Sequence, residues 1–178
     1  MNIDYSKLRE CDYVLTSSLS MFGCVIRYKT AGLKNIFNTN IANHVGMLVN
    51  IDGKLFIAEM VRRFQINSLK RCYLNQGYWG SRIVCVRRNP IYDYPDVRYN
   101  TNSKILSDYF ETQGYDWNGV LSYLLPHIVK EDPNKYYCSE YIQKHAKQDG
   151  NSLTDKLRIT PYDIQKSEKL TTVDGWQL

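Results

Sequence analysis

The sequence predicts an α+β fold in one domain spanning residues 1–178, with a central antiparallel sheet packed against helices. Three observations predict it. Short apolar runs broken by turn residues fill the first half of the chain, as strands do. A hairpin signature, Asp52-Gly53, lies between two of those runs. The second half carries helix-period patterns bounded by capping residues. There is no internal repeat, linker or low-complexity stretch, and 178 residues suffice to bury a sizeable core.

The elements follow in order. Tyr13-Val14-Leu15 closes an opening segment as a short strand. Ser17 to Ser20 caps a helix through Met21 to Tyr28, ended near Gly32, with Cys24 on its apolar, core side. The Asn-rich stretch 35–43 is a loop. His44 to Asn50 and Leu55 to Val61 flank the Asp52-Gly53 turn. With those two as turn residues, 51 pairs with 54, 46 with 59 and 44 with 61. His44 and Glu59 then share a face, diagonally across neighbouring strands at roughly 7–8 Å between backbones. A slip of one residue would put them on opposite faces. Both faces of this hairpin are apolar, which assigns it to the middle of the sheet.

Ile66 to Leu69 and Gly80 to Arg88 read as further strands, the second burying Cys85. A helix around Asp96 to Gln113 has Val97, Ile105, Leu106, Tyr109 and Phe110 as its stripe, and a second helix-like run follows at Val120 to Val129. Glu131 to Asn134 breaks the chain before a third helix that opens at Tyr137-Cys138-Ser139-Glu140 and ends at Asp149-Gly150-Asn151. Thr160 caps a last helical turn in Thr160-Pro161-Tyr162-Asp163-Ile164.

Composition narrows the function classes. Charged residues are 23 % and aromatics 13 %, a folded composition and not a disordered one. Fifteen tyrosines against five phenylalanines suggest half-buried aromatic positions such as cleft walls. The five cysteines, at 11, 24, 72, 85 and 138, are odd in number and widely spaced, without a C-x-x-C pair. That argues against a disulfide framework or a zinc site, and for a reducing compartment. No metal site and no cofactor are expected. No basic and apolar leader opens the sequence and no run is long enough to cross a bilayer, so a cytoplasmic location is expected, or a phage- or virion-associated one. Arg62-Arg63, Lys70-Arg71 and Arg87-Arg88 could form a basic patch, but 23 basic against 18 acidic residues makes nucleic-acid binding unlikely.

The third helix carries the chemistry. A thiol in the first helical turn faces unpaired N–H groups and the positive end of the dipole, which favour the thiolate. Nucleophilic catalysis also needs a base within reach and a group to orient it. His145 lies two turns along the same helix from Cys138, roughly 10 Å by helical rise, and is a packing or surface residue. His127 sits in an apolar run and reads as a core or helix-end histidine. His44, with Glu59 on the same face, completes a Cys–His–Glu set.

These residues give the chain a resemblance. Asn43-His44-Val45-Gly46, then Gly114-Tyr115-Asp116-Trp117-Asn118-Gly119, then Tyr137-Cys138-Ser139-Glu140 and the Pro-containing tail from Thr160 to Ile164 follow in the order of a circularly permuted NlpC-type cysteine hydrolase. The chain is similar to the YiiX-like branch of that family, related to lecithin:retinol acyltransferase. The resemblance implies a papain-like fold with Cys138 as nucleophile, His44 as base and then acid, and Glu59 orienting the imidazole. It also implies that Tyr115 is an oxyanion donor or substrate contact, with Tyr137 lining the substrate groove. Asn118 departs from the glycine of ordinary members, so the loop would shape a different groove. The activity implied is hydrolysis of amide bonds, in peptides or peptidoglycan-type substrates, through a Cys138 thioester. Lipid acyl transfer on the same fold and a catalytically silent binding or virion protein are the alternatives. The partner expected is a peptide or a small acyl-bearing substrate.

Overall fold

A computed structural model describes residues 3–74, 80–110, 114, 116, 118, 136–156 and 158–175. Its centre is a six-stranded, wholly antiparallel sheet. The strands are β1 (Tyr13–Ser17), β2 (His44–Ile51), β3 (Lys54–Met60), β4 (Phe64–Ser68), β5 (Arg82–Arg88) and β6 (Thr171–Gly175), in the order β4-β3-β2-β1-β5-β6. Among the described residues four α-helices accompany them: α1 (Met21–Ala31), α2 (Pro95–Asp108), α3 (Cys138–Gln148) and α4 (Pro161–Lys166).

The hairpin takes the expected register. Ile51 pairs with Lys54 and Gly46 with Glu59. Asp52 and Gly53 have φ of 50° and 75°, the two positive values of a type I′ turn, whose twist matches that of the flanking strands. β2 is central because β1 pairs along its other side, with Thr16 opposite His44.

Alternation along the strands builds two cores. Val45, Met47, Val49, Ala58 and Met60 face a cluster that includes Cys138, Tyr141, Ile142 and Ala146 of α3. Leu48 and Ile57 point the other way, joining Val14, Val86, Ile3 and Leu8. Cys85 is fully buried, as its apolar run requires.

Four expectations need correction. Cys24 is only half-buried; among the α1 residues whose burial is described, Gly23 and Arg27 are the inward ones. The fully buried Arg27 guanidinium donates to Ile36 O at 2.7 Å and to Ser17 Oγ and Ser18 O at 2.8 Å, so a satisfied cation takes the place of an apolar stripe. α2 stops at Asp108, and Tyr109 and Phe110 are exposed, because the helix is pinned by polar groups. Asn102 exchanges hydrogen bonds with the Asn50 backbone, and Thr101 donates to Asp149. The tail adds β6 against β5, where only a helical turn was expected. Arg87 and Arg88 form no basic patch: Arg87 holds Ser167 O, Leu170 O and Thr172, while Arg88 pairs with the buried Asp12. Gln113, the run Val120 to Val129 and His127 lie outside the described residues. No helix among the described residues is long and apolar enough to cross a membrane.

Candidate active site

Cys138 is the first residue of α3, after Tyr137 in extended conformation at the N-cap. Its two motif neighbours hold the helix start in place. Ser139, fully buried, donates to Ile159 O at 2.7 Å, and the Glu140 carboxylate reaches back to the Tyr137 N–H at 3.4 Å. The buried face of Tyr141, Ile142 and Ala146 fixes the helix on the sheet. Ordinary helix geometry leaves the first N–H groups without intrahelical partners, so the Cys138 sulfur stands at the positive end of the dipole. It is 4 % exposed.

His44 begins β2, where the sheet ends. By alternation it and Glu59 belong to the face opposite α3, and the imidazole spans the strand end to meet both partners. Its Nε2 lies 2.9 Å from Glu59 Oε2, and the Cys138 thiol is within hydrogen-bonding reach of the same ring. The His44 side chain is 21 % exposed, so one edge of the site opens to solvent. Gly46 lets this corner close. A Cβ there would stand 2.7 Å from Ile57 Cδ1 and 3.1 Å from Ala58 O, on the strand that carries Glu59.

Glu59 is almost fully enclosed and its acceptors are all used. Tyr73 Oη donates to Oε2 at 2.6 Å, and Asn67 Nδ2 donates to Oε1 at 3.2 Å, beside the His44 bond. Tyr73 and Asn67 were not anticipated from sequence. Asn67 shares the face of Glu59 on the next strand, and β4 pairs Glu59 with Gln65, so alternation along 64–68 was the available signal. Tyr73 sits in a helical turn after β4 whose approach to Glu59 is a tertiary contact.

Electrostatics follow from this arrangement. Burial alone would lower the His44 pKa, but its charge interactions and hydrogen bonds with Cys138 and Glu59 raise it to about 10. Burial works to raise Glu59, yet His44, Tyr73 and Asn67 hold its carboxyl below the usual range. Tyr73 is pushed well above its ordinary value by burial and by the Glu59 charge, so it is a phenol donor throughout the physiological range. Burial also raises the thiols of Cys11, Cys72 and Cys85, the last to about 12.

The structure thus brings Cys138, His44 and Glu59 together. Tyr137 is 4 % exposed and packs in the core beneath α3, not on an open wall. Tyr115 lies outside the described residues. Gly114 bridges Arg63, and the Asp116 N–H donates to Tyr136 O at 3.1 Å. Asn118 is exposed. His145 is buried in a separate network, its Nε2 3.0 Å from Asp108 Oδ2, which also accepts from Tyr141 Oη at 3.0 Å.

Comparison with known proteins gives a fold and no closer kinship. No family model and no curated protein sequence matches the chain. Among solved structures it resembles the metalloprotein YiiX from Escherichia coli O157:H7, with a TM-score of 0.66 at 18 % identity over 97 % of this chain and 99 % of that one. The chain therefore has a YiiX-like α+β fold along nearly its whole length.

Proposed function

We propose that the protein is a cysteine hydrolase of permuted papain-like architecture that cleaves amide bonds through an acyl thioester at Cys138. One observation carries the reading: a single imidazole is engaged by both a helix-start thiol and an enclosed carboxylate.

In this mechanism the Cys138 thiolate attacks the amide carbonyl carbon, and the carbonyl electron pair moves onto oxygen. The Cys138 backbone N–H is a donor for that oxyanion. Collapse of the intermediate breaks the C–N bond, and the His44 imidazolium gives its proton to the departing amine. Neutral His44 then takes a proton from water, whose hydroxide attacks the thioester. The carboxylic acid leaves and the thiolate returns, with the proton on His44. Glu59 touches no reacting atom. It positions the ring and stabilises its protonated form, and Tyr73 and Asn67 hold Glu59 in turn.

The structural neighbour is described as a metalloprotein. The residues present here do not fit a metal. Among the described residues no group of three or more His, Cys, Asp or Glu side chains could hold a metal ion. No step is routed through one.

The test is iodoacetamide labelling read by mass spectrometry at each cysteine. Cys138 should label fastest near neutral pH, ahead of Cys24, with Cys11, Cys72 and Cys85 held back by burial. His44→Ala should slow Cys138 at least about ten-fold, the lower end of what a lost general base or ion-pair partner does. Equal, slow labelling at all five thiols would remove the basis for the proposal. An acyl probe that leaves a mass adduct on Cys138, absent in Cys138→Ala, would report the thioester step directly.

A further inference from the structure

Among the α1 residues whose burial is described, the buried ones are Gly23 and Arg27, while Met21 is 86 % and Tyr28 44 % exposed on the outer side, with Val25 and Ile26 half-buried. At either end the chain presents more apolar side chains to solvent: Leu19 at 58 %, then Leu33 at 71 % and Phe37 at 78 %. So many strongly exposed apolar side chains on one segment offer a surface for an apolar partner.

The charge carried by this segment of the chain has one sign. From Tyr13 to Ile51 the chain contains no aspartate or glutamate, but it does contain Arg27, Lys29 and Lys34. Arg27 is buried, whereas Lys29 and Lys34 are exposed. Arg82 joins them in space, since it pairs with Ser17 on β5 and reaches the Asn40 side chain in the loop after α1. None of these three exposed cations forms an ion pair with a described carboxylate.

We propose that the outer face of α1, with Leu19, Leu33 and Phe37, docks on an anionic phospholipid bilayer. Apolar side chains fringed by lysines on a surface helix are what a headgroup interface accepts, with the chains entering the acyl boundary and the cations meeting phosphate. A bilayer fits better than a protein partner. Leu19 and the Leu33–Phe37 pair lie beyond the two ends of an 11-residue helix, about 16 Å long by helical rise. A protein would need a pocket for each; a fluid interface admits both.

The surface borders the thiol site. The Asn43 side chain, one residue before His44, bonds both the N–H and the carbonyl of Ser18, beside Leu19. Docking would therefore bring the open edge of His44 close to the interface. The docking proposal does not depend on Cys138 being a nucleophile, and its test uses a chain without that thiol.

The full-length Cys138→Ala chain is sedimented with vesicles of phosphatidylcholine alone or mixed with phosphatidylserine. Binding to the mixed vesicles should exceed that to neutral ones at least about ten-fold and weaken as salt is raised. Leu33→Ser with Phe37→Ser should lower it at least about ten-fold, as should Lys29→Glu with Lys34→Glu, both pairs being exposed and expected to fold, as circular dichroism can verify. No difference between vesicle types, or binding unmoved by both pairs, overturns the proposal. So does self-association that Leu33→Ser with Phe37→Ser abolishes while vesicles capture nothing, which would make a second copy the occupant. Retention on immobilised polyglutamate without vesicle binding would assign an acidic protein instead, and equally overturn it.

Discussion

Glu59 offers the most exacting test of the site's physics, because its two obvious substitutions should behave differently. Glu59→Ala removes the acceptor of three donors at once: His44 Nε2–H, Tyr73 Oη and Asn67 Nδ2. A buried donor left unpaired costs about 1–3 kcal/mol, and breaking a buried charge pair about 3–5 kcal/mol. The His44 edge is open enough to recruit water, so a total near the pair value, about 3–5 kcal/mol, is expected. Glu59→Gln is milder. Its amide oxygen at the Oε2 position still accepts from Tyr73 and His44, and Asn67 can turn its own oxygen toward the new NH2 group. About 1–2 kcal/mol should be lost, the worth of a charged acceptor over a neutral one.

The lost charge also acts on His44. Two unit charges about 4 Å apart attract by about 4 kcal/mol at an effective dielectric of about 20, less what desolvation takes back. The His44 pKa should therefore fall by about one to two units from its value of about 10. Because His44 is raised in the folded state, its stabilisation is complete below its ordinary value of 6.5 and fades as pH rises through about 10. Glu59 is lowered, so its stabilisation is present above 4.5 and lost as pH falls through its folded value. The Glu59→Ala deficit should be widest between pH 4.5 and 6.5. Urea unfolding against pH measures the deficit, and NMR titration of the His44 ring measures the shift. An unmoved His44 titration in Glu59→Gln, or an Ala variant within about 0.5 kcal/mol of the parent, would refute the reasoning.

Two further outcomes follow from the same geometry. Gly46→Ala should cost about 1–3 kcal/mol, because its methyl group meets Ile57 and the Ala58 carbonyl on the strand bearing Glu59. It should also slow Cys138 alkylation by disturbing the His44–Glu59 bond; equal rates in parent and variant would separate Gly46 from the site. Asp108, held below its ordinary value by His145, Lys144 and Tyr141 against the effect of burial, contributes stability above pH 3.8 that is lost as pH falls. Asp108→Asn should cost about 1–3 kcal/mol near neutrality and flatten the acid limb of the stability curve, while leaving Cys138 alkylation unchanged. An acid limb as steep as the parent's would show that Asp108 is not the group responsible.

What the sequence made legible was local. Asp52-Gly53 defined a turn type, the turn defined a register, and the register put His44 and Glu59 on one face. Caps at Ser20, Thr160 and Gly150 marked helix ends in the same way, since each works through bonds within a few residues. The failures were non-local. Arg27 reads as the polar face of a helix until Ser17, Ser18 and Ile36 are seen to surround it. Thr171-Thr172-Val173 is a β-branched run that becomes a strand only because β5 has a free edge. Tyr73 shows no sign of function in sequence, since its meaning depends on the fold carrying it to Glu59.

The His44–Glu59 pair also explains why a hairpin is suited to this task. A buried carboxylate is costly to desolvate, and donors held in place around it offset that cost. Here the donors come from adjacent elements of one sheet: His44 from β2, Asn67 from β4, and Tyr73 from the turn that follows. Their positions are set by backbone ladders, which do not shift when a side chain rotates. The thiol, by contrast, arrives from the opposite face on a helix docked by Tyr141, Ile142 and Ala146. The imidazole at the strand end joins the two layers. Substitutions within the hairpin should therefore alter both stability and thiol reactivity, whereas truncations on the buried face of α3 should destabilise the fold before they change the pH dependence of Cys138.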